Sequence, residues 1–169
     1  MIKRFLLGTL PIHLINLLTN LLPNSGFTTR LRGFLMRPFF KKCGKNFKIA
    51  SGVTINHPER IEIGENVYFA HNVWINGTGG LSFGSDIQLG PMCVIVTSQH
   101  KYENGKVTNK SIASPVKINS GVWLASHVVV SAGVEIGSGA TIGANSVVTK
   151  NIPPKCIAVG APAKVIKYR

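Results

Sequence analysis

Acidic residues are scarce in this chain, and their distribution is more informative than their number. The 169 residues include 6 Asp and Glu against 19 Lys and Arg, which gives a formal net charge of +13. No acidic residue precedes Glu59. The basic residues before it are Lys3, Arg4, Arg30, Arg32, Arg37, Lys41, Lys42, Lys45 and Lys48. This N-terminal basic arm, residues 1–48, is typical of a segment that contacts nucleic acid or an anionic membrane, or of a solvated basic face.

Motifs for nucleic-acid binding are missing, and so are motifs for metal binding. The chain has no zinc-finger or helix-turn-helix spacing and no aromatic-interleaved basic motif, so we expect no nucleic-acid partner. Cys43, Cys93 and Cys156 are odd in number, far apart and without a C-x-x-C sequence. This argues against a disulfide framework and a structural zinc, and it favours a reducing compartment. We therefore expect no metal and a cytoplasmic location.

A long uninterrupted hydrophobic run is also lacking. The segment 5–23 is rich in leucine, but Gly, Pro, His and Asn residues interrupt it and no small-x-small cleavage site follows. A spanning helix needs about 20 mostly apolar residues. We predict a helical segment over residues 1–45 that either packs on the body or lies in a membrane interface. Residues 1–48 are the candidate for contact with the inner face of a membrane.

The second half of the chain carries an aliphatic residue at every sixth position. The series is Ile118, Leu124, Val130, Ile136, Ile142 and Val148. A small residue or Asn follows nearly every member, and a small or branched residue recurs four positions after it. Neither a helix nor a single alternating strand has this period. A triangular solenoid does, because three six-residue sides form a coil and stacked coils bury their aliphatic residues in columns.

The same period extends upstream with two insertions. Its earlier members are Ile49, Ile55, Ile63, Phe69, Ile75, Phe83, Leu89 and Ile95. Two steps are eight residues long, and the segments 57–60 and 76–80 carry turn-forming residues there. Each insertion therefore predicts a bulge at a corner of the solenoid.

One larger interruption lies at about residues 96–117, where the sequence becomes polar and turn-rich. A long excursion from a regular scaffold is where functional residues tend to lie. The fold class that these patterns predict is mainly β. We predict a parallel β-helix over residues 46–152, an N-terminal helical segment over 1–45, an excursion loop, and a C-terminal tail over 153–169.

The chain resembles the hexapeptide-repeat acyltransferases, and within them the maltose, galactoside and polysaccharide O-acetyltransferase group. The resemblance covers residues 46–169. It rests on the repeat, on the excursion with His100 followed by Gly-Val-Trp-Leu-Ala-Ser at 121–126, and on two later motifs. These are Ile-Gly-Ala-Asn-Ser-Val-Val-Thr-Lys at 142–150 and Val-Gly-Ala-Pro-Ala-Lys-Val-Ile at 159–166. The repeat alone would identify only the fold, which the resemblance implies to be left-handed.

The resemblance implies a homotrimer with active sites between subunits, and it makes His100 the catalytic residue. A neutral imidazole would take the proton of a sugar hydroxyl as that oxygen attacks the thioester of acetyl-CoA. Backbone N–H groups would stabilise the oxyanion, with no metal and no covalent enzyme intermediate. Glu103 is a candidate for orienting His100. The alternative is that His100 is an ordinary solvated loop histidine.

The same match assigns a set of residues to the acetyl-CoA site. They are Trp123, Ala125, Ser126, Ala144, Thr149, Lys150, Lys164 and Lys167. Ser126 and Ala144 would line the pantetheine channel with their backbone groups, and the lysines would meet the CoA phosphates. Trp123 would lie near this cleft, although it could instead cap the interior of the coil. Lys150 and Lys164 could also be ordinary surface residues.

The acceptor site departs from the family pattern. Maltose-type members carry an asparagine that holds the sugar, and this chain has Ala70 at that place. His71 and Asn72 are the nearest polar substitutes and are our candidates for binding the sugar or glycan acceptor. The basic N-terminal arm also differs from the family's short cap, and it would suit an acceptor held at a membrane.

The resulting prediction is an acetyl-CoA-dependent O-acetyltransferase that acts on a sugar hydroxyl in surface polysaccharide biosynthesis. N-acetylation of an amino sugar, or inactivation of a drug, would use the same base and donor. A β-helical carbonic anhydrase needs three clustered histidines, and His100 has none within the next several residues. A non-enzymatic β-helix would be expected to show a flat, repetitive Thr face, and this chain varies its outward residues.

Overall fold

The computed structural model describes residues 10–169, which form a three-sided parallel β-helix preceded by two helices. Its strands belong to three sheets, one for each side of the prism. Sheet A contains β1 (Lys42–Cys43), β4 (Ile61–Ile63), β7 (Leu81–Phe83), β12 (Val116–Ile118) and β15 (Glu135–Ile136). Sheet B contains β2 (Lys48–Ile49), β5 (Tyr68–Phe69), β8 (Gln88–Leu89), β13 (Trp123–Leu124), β16 (Thr141–Ile142), β18 (Cys156–Val159) and β19 (Lys164–Tyr168). Sheet C contains β3 (Thr54–Asn56), β6 (Trp74–Asn76), β9 (Val94–Val96), β14 (Val129–Val130) and β17 (Val147–Val148).

The predicted hexapeptide repeat is confirmed as the core of the solenoid. Every member of the series is buried. On each side of the prism, the members from successive coils pair in register and form a column. Sheet B shows this, because Phe69 pairs with Leu89, which pairs with Leu124 and then Ile142. Aromatic rings pack inside the early coils, where the Phe69 ring lies 5.1 Å from those of both Phe47 and Phe83. The fold is therefore the parallel β-helix that the repeat predicted.

The corners of the prism are made by residues with left-handed backbone conformations. At the corner between sheets B and C these include Asn72, Met92, His127 and Asn145, with φ between 57° and 59°. Each donates its backbone N–H to a carbonyl of the preceding coil, as Asn145 does to Ser126 at 3.0 Å. The two predicted bulges lie at the corner between sheets C and A. One is the 3-10 helix Pro58–Arg60, and the other is the turn closed by the Gly80 to Gly77 hydrogen bond.

The predicted excursion is a two-stranded β-hairpin rather than a loop without secondary structure. β10 (Ser98–Glu103) and β11 (Lys106–Ala113) are antiparallel and project from the corner between sheets C and A. Asn104 and Gly105 connect them with φ of 52° and 74°. An Asn-Gly pair with positive φ at both positions forms the type of turn that closes two-residue hairpins. This dipeptide is the feature of the sequence from which the hairpin could have been predicted.

Two helices pack on the first coil at the N-terminal end. They are α1 (Leu10–Thr19) and α2 (Gly26–Met36), and a 3-10 helix (Arg37–Phe39) follows α2. α2 begins with a capping box, in which the Ser25 side chain accepts from the Thr28 N–H and the Thr28 hydroxyl accepts from the Ser25 N–H. Asn16 of α1 donates from Nδ2 to the Val53 carbonyl at 2.7 Å, which ties the helix to the coil. Of the two placements predicted for this segment, the described part packs on the body.

The first nine residues, with the basic Lys3 and Arg4, lie outside the described part of the chain. Between residues 10 and 169, none of the helices has the length and apolar character needed to cross a membrane. At the other end, β18 and β19 form an antiparallel pair on the last coil, with Ile157 opposite Lys167 and Val159 opposite Lys164. The C-terminal tail therefore extends sheet B.

Candidate active site

His100 lies on β10 of the projecting hairpin, and its side chain is exposed. Its Nδ1 lies 3.1 Å from the backbone carbonyl oxygen of Thr108 on β11. A carbonyl oxygen can only accept a hydrogen bond, so Nδ1 carries the proton and donates it. In the neutral ring Nε2 is then the unprotonated nitrogen. This is the tautomer that a general base acting through Nε2 requires.

A bulge in β11 makes this contact available. After the His100–Ser111 pair the register shifts, so that residues 108–110 of β11 face a single residue of β10. Residues in a bulge leave the ladder, which frees the Thr108 carbonyl for a side chain. The Thr108 hydroxyl donates to the Lys101 carbonyl at 2.9 Å and holds the bulge in place. The carbonyl that faces His100 is therefore positioned by a side chain of its own residue.

Glu103 does not orient His100, contrary to the candidate role considered from the sequence. Its carboxylate contacts the Nζ atoms of Lys101 at 3.0 Å and Lys110 at 3.2 Å. The two lysines flank the carboxylate from both strands of the hairpin. The group that contacts the His100 ring is the Thr108 carbonyl, which sequence reasoning missed because the contact depends on the bulge.

The base of the hairpin is fastened by Thr97, which is fully buried. Its hydroxyl donates to the Asn76 carbonyl and accepts from the Gly79 N–H, both at 2.7 Å. Its carbonyl accepts from the Ser114 N–H at 2.9 Å. This hydrogen bond joins the point where the chain leaves the coil to the point where it returns. Gly79 is required here, because a Cβ at this position would overlap the Thr97 carbonyl oxygen. The hairpin thus leaves the coil from a rigid base.

One edge of the prism, the corner between sheets B and C, gathers five of the predicted site residues. They are His71, Asn72, Ala125, Ser126 and Ala144. Ser126 and Ala144 occupy neighbouring coils, which stack about 5 Å apart. Ala144 is exposed and Ser126 half-buried, so this edge offers backbone amides behind small side chains. An extended chain with amide groups, such as a pantetheine, fits such an edge.

Trp123 and Lys167 lie on the outer face of sheet B, beside that edge. The Trp123 side chain points away from the core and is 51% exposed, so it does not cap the interior. Lys167 on β19 pairs with Ile157 at the end of the same sheet, and Lys164 pairs with Val159 near the corner. All three are exposed and available to a ligand lying along this side.

The structure places Thr149 and Lys150 elsewhere, on the corner between sheets C and A. They follow β17 at the end of sheet C, the same edge from which the His100 hairpin projects. Sheet C therefore separates this second group from the residues at the corner between sheets B and C. Within one chain, the sequence-predicted donor site is divided between two edges of the prism.

A cleft of about 470 Å³ lies between the N-terminus of α2 and the outer face of sheet B. His71 lines it, together with Tyr68, Gln88 and Lys48 from the strands and Asn24 before α2. Tyr68, Gln88 and Lys48 were not predicted. Their sequence signal is a spacing of twenty residues, which in this coil stacks outward-facing side chains on one another. Asn72 is exposed at the same corner, where its left-handed backbone also makes the turn.

The three cysteines are unsuited to nucleophilic chemistry. Burial raises the pKa of the Cys43 thiol to about 11. Burial also raises the pKa of Cys93 and of Cys156. The thiols are therefore protonated near neutral pH, and the protonated form is a poor nucleophile. Among residues 10–169 there is also no group of His, Cys, Asp and Glu arranged to hold a metal ion.

A hexapeptide solenoid with an exposed, oriented imidazole on a projecting hairpin defines the class of left-handed β-helix acyltransferases. Comparison with known proteins agrees with this class. Residues 115–150 match the family model described as bacterial transferase hexapeptide (six repeats). The galactoside O-acetyltransferase of Escherichia coli (strain K12) is 33% identical over 137 residues, which are 80% of this chain and 68% of that protein.

Two further comparisons cover most of the chain. WcaF of Escherichia coli (strain K12), provisionally assigned as a colanic acid biosynthesis acetyltransferase, is 33% identical over 140 residues, 83% of this chain and 76% of that protein. A solved galactoside acetyltransferase in complex with coenzyme A superposes with a TM-score of 0.80 at 27% identity, covering 95% of this chain and 80% of that one. The chain belongs to the hexapeptide-repeat acetyltransferases, in the group that contains the galactoside and maltose O-acetyltransferases, and it is an acyltransferase.

Proposed function

We propose that this protein transfers an acetyl group from acetyl-CoA to a sugar hydroxyl, with His100 as the general base. The observation that carries the proposal is the hydrogen bond from His100 Nδ1 to the Thr108 carbonyl, which leaves Nε2 free on an exposed hairpin. The galactoside O-acetyltransferase relative supports a sugar as the acceptor, and the solved relative with coenzyme A supports the donor.

The reaction needs only this imidazole to move protons. His100 Nε2 takes the hydroxyl proton while the sugar oxygen forms a bond to the thioester carbonyl carbon. The carbon–sulfur bond then breaks, and the imidazolium returns its proton to the departing thiolate. The products are an acetyl ester and the free thiol of CoA, so atoms and charges balance without a metal or a covalent enzyme intermediate.

The donor would lie along the corner between sheets B and C. Its pantetheine amides would meet the backbone at Ser126 and Ala144, with Ala125 and Trp123 beside them. Lys164 and Lys167 stand at the C-terminal end of this side, where they would bind the CoA phosphates. The acceptor would occupy the cleft lined by His71, with Asn72 at its corner.

A homotrimer would complete the site. His100, Thr149 and Lys150 belong to one edge of the prism, whereas Ser126 and Ala144 belong to the next. Two copies packed side by side would bring the hairpin edge of one subunit to the pantetheine edge of its neighbour. A closed ring of three such heterologous contacts gives three equivalent sites. Thr149 and Lys150 would then contact the donor held mainly by the neighbouring subunit.

The colanic acid assignment of WcaF makes a surface polysaccharide precursor the favoured acceptor. We place the enzyme in the cytoplasm, where acetyl-CoA and activated sugars are available. An amino sugar is the alternative acceptor, because its amine would attack the same thioester. A panel that contains both hydroxyl and amine acceptors separates these cases.

The test is acceptor-dependent release of CoA thiol from acetyl-CoA by the wild type and His100→Ala. Removing a general base is expected to lower kcat by about 100- to 10,000-fold, while acetyl-CoA binding measured by calorimetry is retained. Gln99→Ala, at the exposed position next to His100, is the matched control and should keep its activity. Full activity in His100→Ala would overturn the assignment of the base. Failure of the wild type to bind acetyl-CoA would overturn the proposed reaction.

A further inference from the structure

The two N-terminal helices and the turn between them expose a set of large apolar side chains, which we call the helical face. Its members are Leu14, Leu17, Leu18, Leu21, Leu22, Phe27, Phe34 and Leu35. Leu21 is 88% exposed and Phe27 is 74% exposed. Buried core positions of the solenoid account for most other large apolar residues. An apolar surface of this kind on adjacent helices indicates an interaction site.

The helical face is separated from the side of each helix that packs on the protein. In α1, Ile12, Asn16 and Thr19 are buried, whereas Leu14, Leu17 and Leu18 point outward. In α2 the buried side includes Thr29 and Met36. Positions three, four or seven residues apart share one side of a helix, so the outward leucines of α1 form one stripe. The leucine side chains of this stripe therefore remain exposed when the helices are packed on the protein.

Arginines alternate with the phenylalanines on α2. Phe27, Arg30, Phe34 and Arg37 are spaced by three, four and three residues and share one side of the helix and its 3-10 extension. Arg30, Phe34 and Arg37 line a small cleft of about 170 Å³, to which Phe47 also contributes. Two guanidinium groups beside an exposed aromatic ring are suited to bind the phosphate group of a molecule whose remaining part is apolar.

The charge around the helical face has one sign. Every charged residue between residues 10 and 58 is basic, and the first acidic residue is Glu59. A two-fold contact with a second copy would bring the same arginines together, and the trimer proposed above packs through edges of the prism rather than through the helical face. An anionic surface with an apolar interior complements both the arginines and the leucines.

We propose that the helical face docks on anionic phospholipid membranes, with the outward sides of α1 and α2 in the interface while their inner sides stay packed on the protein. Leucine and phenylalanine side chains would enter the boundary of the acyl chains, while Arg30 and Arg37 contact lipid phosphates. The cleft that contains His71 is also lined by Asn24 and by Gly26 at the start of α2, the helix that carries part of the helical face. An acceptor attached to a lipid would therefore reach this cleft from the membrane. The docking itself does not depend on the proposed reaction.

The experiment is flotation of the full chain with vesicles of phosphatidylcholine alone and with vesicles containing phosphatidylglycerol at about three parts in ten. The wild type is expected to float with the anionic vesicles at least about tenfold more strongly than with the neutral ones. Raising the salt concentration to about 0.5 M should weaken this binding, because charge attraction is screened.

Two pairs of variants separate the apolar and the charged contributions. Leu17→Gln with Leu18→Gln, and Arg30→Gln with Arg37→Gln, should each reduce anionic vesicle binding by about tenfold or more. The matched controls are Val107→Gln with Ile166→Gln, and Lys106→Gln with Lys155→Gln. These positions are exposed in other parts of the molecule, so the control pairs should bind like the wild type.

Four outcomes would overturn the proposal. They are a wild type that does not float, equal flotation with neutral and anionic vesicles, control pairs that lose as much binding as the helical-face pairs, and self-association that Leu17→Gln with Leu18→Gln abolishes in sedimentation. CoA release with a soluble acceptor should be unchanged in both helical-face pairs. Loss of vesicle binding with activity intact therefore distinguishes a docking surface from the catalytic site.

Discussion

The Nδ1 atom of His100 and the backbone carbonyl oxygen of Thr108 lie 3.1 Å apart, across a bulge in the hairpin. The carbonyl cannot be ionised, so the ring can be held in one tautomer without a carboxylate. A carboxylate partner would stabilise the imidazolium form more strongly than a carbonyl does. The arrangement thus orients the ring through a neutral group.

The role of Thr108 as a positioning residue can be tested by Thr108→Val. This change keeps the shape of the side chain but removes the hydroxyl that donates to the Lys101 carbonyl at 2.9 Å. The bulge should loosen, and kcat should fall by about 3- to 10-fold with the KM for acetyl-CoA unchanged. Thr108→Ser, which keeps the hydroxyl, should restore most of the rate. Ser111→Ala, opposite His100 in the ladder, is the control and should have little effect.

Gly79→Ala should damage the base of the hairpin. The added Cβ would overlap the Thr97 carbonyl oxygen and approach the Ser114 N–H nitrogen to 2.9 Å. Because these are backbone atoms, relief requires movement of the hairpin, and we expect a lower Tm together with a lower kcat. Gly26→Ala is the control, since a Cβ there meets nothing within 4 Å. Equal kcat and Tm in both variants would contradict the role assigned to this base.

Arg32→Met should destabilise the packing of α1 on α2. The fully buried guanidinium donates to the carbonyls of Thr19 and Leu22 at 2.7 and 3.0 Å, and to the Asn24 side chain at 2.8 Å. The Thr19 carbonyl is at the end of α1, which has no basic residue in its last turn, and the Leu22 carbonyl belongs to the turn that follows. Leaving them buried without a donor should cost about 2–4 kcal/mol.

The measurement for Arg32→Met is thermal unfolding combined with hydrogen exchange of α1. Arg30→Met is the matched control, because Arg30 is an exposed arginine on the same helix. We expect faster exchange across α1 in Arg32→Met and an unchanged Tm in Arg30→Met. Similar unfolding of the two variants would show that the buried hydrogen bonds contribute little.

The cysteines should react slowly in the folded protein. The pKa of Cys43 is raised from 9.0 to about 11 by burial, so a smaller fraction is thiolate at pH 8 than in the unfolded chain. We expect slow labelling by a disulfide reagent at pH 8 and rapid labelling in denaturant. Because the unfolded chain releases this proton first, the contribution of Cys43 to stability is present below pH 9 and is lost as the pH rises through the folded value.

A Cys43→Ala variant provides the comparison for that pH dependence. Its free energy of unfolding, measured by urea denaturation, should decline less between pH 9 and 11 than that of the wild type. Identical declines would show that Cys43 does not contribute to the loss of stability in alkali.

Several features of the candidate site could be predicted from the sequence because they are local. The position of His100 in the one long break of the repeat required only counting. The corner positions of Ser126 and Ala144 followed from the same count, since coils of known length place each residue on a definite edge. The roles proposed for these residues rest on the family resemblance and on the experiments above.

Other features depend on contacts between distant residues. Glu103 was considered for orienting His100 because it is only three residues away, yet two lysines bind its carboxylate. Thr108 could not be identified because its carbonyl is available only through the bulge. The cleft that contains His71 requires the start of α2 to fold against sheet B, and no periodic pattern reports that placement.

The sequence by itself determined the solenoid, because each coil buries the same kind of side chain against the next. A repeated local rule of this kind specifies a fold one coil at a time. The tertiary structure decided the tautomer of His100, the burial of Arg32 and the formation of the cleft that contains His71. These features depend on where the nonrepetitive segments contact the coil. Single contacts between distant residues stabilise them, and no period in the sequence reports such contacts.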